Sequence, residues 1–213
     1  MWFVSWAVLI GSAWLGDLSG TVTVMKKGGK KPLSDHSNAV VFVEKLKSEP
    51  AEPFAVSHQM EKHFEPRLLV VTKGQAVRFV NGDPIQHNVF SKESAPPFDL
   101  GHYPKGEYRE VVFEETGFYK VYCNIHQEMI QDVVVLDNHF FATTGPDGAY
   151  RIANLPAGEY QVTAWHIYGG TETKTVVVGG DPVDFRLVST KHVREATRHL
   201  NKEGQEYSDT ESY

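Results

Sequence analysis

Short apolar runs that alternate with polar residues, each closed by a turn signal, occupy most of the chain between residues 21 and 187. Alternation with a period of two marks half-buried strands, because successive side chains leave a strand on opposite faces. Strands are therefore expected at 21–25, 39–44, 68–71, 76–80, 88–90, 109–113, 118–123 and 132–136. Lys27-Gly28-Gly29, Lys73-Gly74, Asn81-Gly82-Asp83-Pro84 and Thr116-Gly117 punctuate them. After Asp137 the spacing changes. Asp147-Gly148, Pro156-Ala157-Gly158 and Gly179-Gly180 introduce or separate short runs at 149–152, 159–165 and 184–187, at the intervals of a β-sandwich. The expected fold class is all-β, with a second β unit following the first.

One strand carries unusual chemistry at its end. In residues 118–123 alternation places Tyr119, Val121 and Cys123 on one face, and a new strand resumes near Val133, so the residues between form a loop. That loop reads C-N-I-H-Q-E-M and holds three metal-capable donors, Cys123, His126 and Met129; Cys123 is the only cysteine of the chain. A thiolate, an imidazole and a thioether are soft or borderline donors, and two His, one Cys and a distant axial Met form the copper site that passes single electrons. The missing imidazole is assigned to His87, in N-G-D-P-I-Q-H-N-V-F, which lies between two strand-like runs. Asn88 beside it is a candidate tether for the ligand loop. Zinc would favour more Cys, His or carboxylate than this loop offers, and a Cys–His catalytic pair would want an orienting third group. A lone cysteine as a plain buried hydrophobe is the remaining bland alternative.

Composition narrows the setting. The chain has 213 residues and a formal net charge of -6. That is long enough for one or two small domains with cores of their own, and the acidic balance argues against nucleic acid as a partner. Residues 1–16 begin with an apolar run of signal-peptide length, too short to span a bilayer, so export to a periplasmic or extracellular location is expected without stable membrane insertion. An oxidising compartment would also make an unmetallated thiol hazardous. Residues 48–53 read as a linker, and 191–213 as a short helix fading into a polar tail. His36, His58, His63, His102, His139, His192 and His199 sit in turn-like or charged stretches and are expected to be solvated. His58 and His63, with Met60 and Glu61, are the one group among them that could form an auxiliary metal patch. His166, after Trp165, is expected to pack.

The segment from Phe64 to Asp137, with H-N-V-F-S at 87–91 and Y-C-N-I-H-Q-E-M at 122–129, resembles the cupredoxins, the plastocyanin and amicyanin class of blue copper proteins. Its short C-x-x-H-x-x-M loop is closer to amicyanin, although Ile125 and Gln127 flank His126 where amicyanin carries prolines. The resemblance implies a Greek-key sandwich, one type 1 copper ion held by His87, Cys123, His126 and Met129, an electron-carrying role without bond-making, and redox partners such as a c-type cytochrome. F-D-L-G-H-Y-P-K-G at 98–106 and A-W-H at 164–166 further resemble secreted bacterial proteins of the methylamine utilization type. A second resemblance covers D-G-A-Y-R-I-A-N-L-P-A-G-E-Y-Q-V-T-A-W, which is similar to carboxypeptidase regulatory-like domains, small transthyretin-like sandwiches. Their opening strands match Gly20-Thr21-Val22 and Asn38-Ala39-Val40-Val41-Phe42-Val43. The expected organisation is thus opening strands in 17–49, a copper domain in 50–137 inserted into the sandwich, its remainder in 138–188, and a polar C-terminal helix or tail in 189–213; two tandem domains are the alternative. Electron transfer is weighed against copper storage or delivery and against a docking module with incidental metal. The electron exit is expected at His126, its ring edge near solvent among Ile125 and Ile130.

Overall fold

The computed structural model describes residues 14–192 and 199–207, and among them it contains sixteen strands and no α-helix. The strands are β1 (Leu15–Met25), β2 (Ala39–Val43), β3 (Phe54–Met60), β4 (His63–Glu65), β5 (Leu68–Thr72), β6 (Ala76–Asn81), β7 (His87–Ser91) and β8 (Phe98–Tyr103). They continue with β9 (Tyr108–Val112), β10 (Gly117–Tyr122), β11 (Ile130–Leu136), β12 (Phe141–Thr143), β13 (Ala149–Pro156), β14 (Glu159–His166), β15 (Thr171–Val177) and β16 (Phe185–Val188). All the expected strands are present with shifted ends; β3, β4, β8, β12 and β15 are additional. Residues 1–13, 193–198 and 208–213 lie outside the described residues, and with them most of the expected leader and the expected helix. Leu15 and Gly16, assigned to the leader from sequence, begin β1 and pair with Pro156 and Leu155.

Four sheets make two sandwiches. The first combines β13-β1-β16 with β12-β2-β14-β15, and the second combines β5-β11-β10-β7-β8 with β4-β3-β6-β9. Strands from both ends of the sequence therefore build the first sandwich: Val41 of β2 lies opposite Ala164 of β14, and β1 pairs with both β13 and β16. The chain leaves after β2 and returns at β12. Every strand of the second sandwich is formed between those points, and the segment read as a linker leads into it.

Two local features fix the first sandwich. The turn at Asp147-Gly148 brings Gly148 to φ +75°, where a Cβ would sit 2.3 Å from the Val22 carbonyl oxygen, so only glycine fits. Leu18, Val22, Val24, Val41, Ile152, Leu155, Val162 and Phe185 then close a core of their own. His166 is 1% exposed; its Nε2 lies 3.0 Å from the Ser37 carbonyl oxygen and its Nδ1 accepts the Tyr168 amide, so it packs, as expected, within this sandwich.

Strand β11 explains how the sandwiches hold together. All seven of its residues are buried. One face, with Val133 and Val135, lines the core of the second sandwich, while Val134 and Leu136 on the other face meet Val40 and Ile167 of the first. A strand covered on both sides loses its alternation, and from Val133 to Leu136 β11 reads as an unbroken apolar run. Trp165 stacks obliquely on Phe118 at 4.7 Å between ring centroids across the same junction, a type of contact that contributes about 0.5–1.5 kcal/mol beyond area burial. Asp132, buried on β11, is paired with both Arg67 and Lys120. The sandwiches thus share a continuous apolar seam and should unfold together. Ile167→Ala, at a position 3% exposed in that seam, is expected to destabilise the protein by about 2–5 kcal/mol. Denaturant unfolding should remain a single transition; two separate transitions would show that the seam does not couple the sandwiches.

Candidate metal centre

The end of β10 delivers the thiol. Tyr119, Val121 and Cys123 face the core as alternation requires, and Cys123 has no solvent exposure. The following loop is closed by its own backbone: the Cys123 amide donates to the Met129 carbonyl at 3.2 Å, and the Met129 amide donates to the His126 carbonyl at 3.1 Å. This tight turn carries His126 back over the thiol. From the neighbouring strand β7, which pairs with β10 through Phe90 and Tyr122, His87 arrives at the same point.

The three donors converge. Cys123 Sγ is 3.9 Å from His87 Nδ1 and 3.7 Å from His126 Nδ1, and all three ligand atoms lie within 4.8 Å of one another. Bonds of about 2.0 Å to nitrogen and about 2.3 Å to sulfur, set about 120° apart, separate N from S by about 3.7 Å. The observed sulfur–nitrogen spacings are close to those of a trigonal metal plane. Met129 is wholly buried in the same core cluster as Cys123. Among the described residues, His87, Cys123 and His126 are the one group of three or more His, Cys, Asp or Glu side chains placed to hold a metal ion. His58 and His63 do not join such a group: His58 lies opposite Glu65 across the β3–β4 pair, and His63 Nδ1 contacts the Glu61 carbonyl oxygen.

Protonation favours binding. Burial pushes the His126 pKa down to about 4, helped by His87 and Lys62, and burial also lowers that of His87 against the pull of Asp83. Both rings are therefore neutral at pH 7 and keep a lone pair. Burial raises the Cys123 thiol, while the backbone amides of Asn88, Ile125 and His126 oppose that shift. These same amides point at the sulfur and would stabilise its anion once a cation displaced the proton.

Behind the donors stands a layer that the sequence reading treated only as a turn. His87 Nε2 donates to Asp83 Oδ2 at 2.8 Å, which fixes the tautomer and leaves Nδ1 free to face the thiol. The Asp83 carboxylate also accepts the Glu61 and Lys62 amides at 2.7 and 2.9 Å. Burial alone would raise this carboxyl, but bonds from Lys62, His87 and Glu61 hold it below the usual carboxylate range. Asn81 in turn accepts the Asp83 amide and donates to the carbonyls of Ile85 and Tyr103. Asn88 is the tether that its position suggested: its Oδ1 accepts the Asn124 amide at 3.2 Å. The i, i+4 spacing of Asp83 and His87 was the available signal for the carboxylate.

Several expectations about the surroundings need correction. Ile130 is buried, 5% exposed, and belongs to β11, so it is not part of an apolar rim, whereas Ile125 is half-buried. His126 itself is only 8% exposed. His199, expected to be solvated, instead lies 4.5 Å from the Tyr122 ring between centroids, and residues 199–207, expected to be a helix or tail, form turns against the ligand loop.

Residues 54–137 match the family described as copper binding proteins, plastocyanin/azurin family. No curated protein matches the chain. Similar solved structures include the Cu-containing nitrite reductase NirK from Thermus scotoductus SA-01, at 22% identity and TM-score 0.38, covering 45% of this chain and 25% of that one. A Cu(I) structure of an amicyanin mutant is similar at 21% identity and TM-score 0.37, covering 45% of this chain and 97% of that one. A reduced amicyanin mutant gives 22% identity, TM-score 0.37 and the same coverage. The family match over residues 54–137 and the convergence of His87, Cys123 and His126 support one copper ion as the cofactor.

The protonation states predict the stoichiometry of loading. Neutral imidazoles have no proton to lose at pH 7, while the raised thiol does, so Cu(I) binding should release about one proton per ion. Titration in weak buffer reads this directly. The Cys123→Ala variant should release none, and release of two or more would contradict the assignment of neutral histidines.

Proposed function

We propose that the protein is an exported electron carrier whose ligands are His87, Cys123, His126 and Met129. The observation that carries this reading is the convergence of two neutral, hydrogen-bonded imidazoles on one buried thiol at trigonal spacing, with a buried thioether on the same loop. Copper bound there supplies a one-electron couple. The chain's own task is to hold the donors so that they need not move when the charge changes. Asp83 fixes His87, the Asn88–Asn124 bond fixes the start of the loop, and the Cys123–Met129 backbone bond fixes its end. Cys123, the two imidazoles and Met129 would hold the ion, with the thiolate coupling it to the protein and the thioether tuning its potential.

Electrons leave by His126 in this reading, whose ring is the least buried of the two imidazoles, at 8% against 0% for His87. A transient redox partner such as a c-type cytochrome would dock over His126 and the half-buried Ile125. The site makes no bonds in a substrate. The first sandwich is read as a regulatory-like domain interrupted by the copper domain; the pairing of β2 with β14 and of β1 with β13 and β16 supports that organisation. Burial of Cys123 would shield its thiol in an oxidising compartment. Among the described residues no helix is long and apolar enough to cross a membrane.

Loading with Cu(II) should give an intense thiolate charge-transfer band that disappears on reduction and returns on oxidation. Cys123→Ser should abolish the band, whereas Met129→Gln should keep copper and shift its midpoint potential. A colourless Cu(II) complex, or an unchanged spectrum in the serine variant, would defeat the ligand set. Rapid surrender of copper from the unmodified protein to a chelator would favour delivery over electron transfer.

A further inference from the structure

The ligand loop has a second support, supplied by the far end of the chain. Tyr207 Oη donates to the Cys123 carbonyl oxygen at 2.8 Å, the His199 amide donates to the Gln127 carbonyl at 3.3 Å, and the Lys202 amide donates to Asn124 Oδ1 at 2.7 Å. The His199 ring sets its Nε2 3.3 Å from the His126 carbonyl oxygen. Residues 199–207 therefore contact Cys123, Asn124, His126 and Gln127, four consecutive or nearly consecutive positions of a loop that contains three of the four ligands.

The contact is packed as well as hydrogen-bonded. The His199 ring lies 4.5 Å from Tyr122, 6.2 Å from Phe90 and 5.4 Å from Tyr207, between centroids. Phe90 stands on the face of β7 opposite to His87 and Val89, yet it is 3% exposed. Lys202 Nζ adds a surface pair with Asp99 at 3.0 Å, which at that exposure contributes little. A loop without helix or sheet partners has free carbonyls that would otherwise be left to water. Here an ordered segment satisfies them.

We propose that residues 199–207 are a strap belonging to the copper centre, with Tyr207 and His199 as positioning residues that hold the ligand loop in its metal-ready shape before copper arrives. The inference rests on the electron-carrier reading for its purpose. None of the strap's hydrogen bonds uses a donor atom of the metal set. By cross-linking the loop to the face formed by β7 and β10, it limits how far Cys123 and His126 can move apart, in the way that partners behind a metal ligand tune affinity. Tyr207 acts through the peptide that follows the thiol, and His199 acts by wedging between the loop and the Tyr122 ring.

The test uses the full chain with Tyr207→Phe, which removes one hydroxyl, His199→Ala, which removes the wedge, and the two combined. Lys202→Ala is the control, because it discards the exposed pair and keeps the amide that bonds Asn124. In copper-free protein, hydrogen exchange at amides of residues 123–130 should quicken in the combined variant by about tenfold or more, with the control unchanged. Cu(I) affinity, measured by chelator competition, should fall by about 10-fold to 100-fold. Exchange and affinity both within about twofold of the parent, or an equal loss in Lys202→Ala, would overturn the strap. A parent protein lacking the thiolate band would sink the electron-carrier reading instead, whereas a coloured parent with indifferent variants would sink only this inference.

Discussion

A buried thiol flanked by two neutral imidazoles is the constraint around which this molecule is arranged. Cys123 has no solvent exposure, and each ring that faces it is held by something else: His87 by the Asp83 carboxylate, His126 by the turn that bonds Met129 to its carbonyl. Three donors so close together, with lone pairs aimed inward, would repel or collapse in a soft environment. A sandwich end supplies the stiffness. Strand β10 places the thiol, β7 places one imidazole beside it, and the loop between β10 and β11 returns the other. Two imidazole lone pairs and a thiol that converge with one proton among them become three donors for a cation once that proton leaves.

The same strand that bounds the ligand loop also joins the two halves of the protein. Strand β11 starts at Ile130, immediately after Met129, and buries Val133 and Val135 in one sandwich and Val134 and Leu136 against the other. Stiffness therefore reaches the copper loop from both sides of the sheet. Towards solvent the loop would be free to flex, and there the C-terminal segment contacts its carbonyls. The two sandwiches and the strap serve one end: a donor set that has no room to rearrange. This links the unusual chain order, in which β1 and β2 pair with strands that follow the copper domain, to the behaviour of the metal site.

Much of this was legible in the sequence because the signals are local. The strand ending at Cys123, the seven-residue loop and the turns that separate the strands follow from period-two alternation and from glycine and proline placement. The four candidate donors could be named on donor chemistry and spacing, and the structure brings His87, Cys123 and His126 together with Met129 buried beside them. Strands β4, β8, β12 and β15 were missed because they are short or at sheet edges, and β3 because it follows directly on the proline-punctuated segment and its middle is the polar run Ser57-His58-Gln59. Thr171–Val177, for example, alternates charged residues and threonines on an edge strand, where propensity is a weak guide. Asp83 and Asn81 hid inside an ordinary turn signal, since a carboxylate four residues before a histidine gains meaning only when the backbone brings them together. His199 and Tyr207 gave no signal at all: their segment has no periodicity, and the loop carbonyls they contact lie 72 to 84 positions away in sequence.

The central claim is that these four side chains hold copper in a cage that does not relax with charge. Copper-edge X-ray absorption on the oxidised and the reduced protein measures that directly. The account predicts one short copper–sulfur bond and two copper–nitrogen bonds in both states, with nearly unchanged lengths. Loss of the sulfur scatterer, or a change in the number of ligands on reduction, would contradict it.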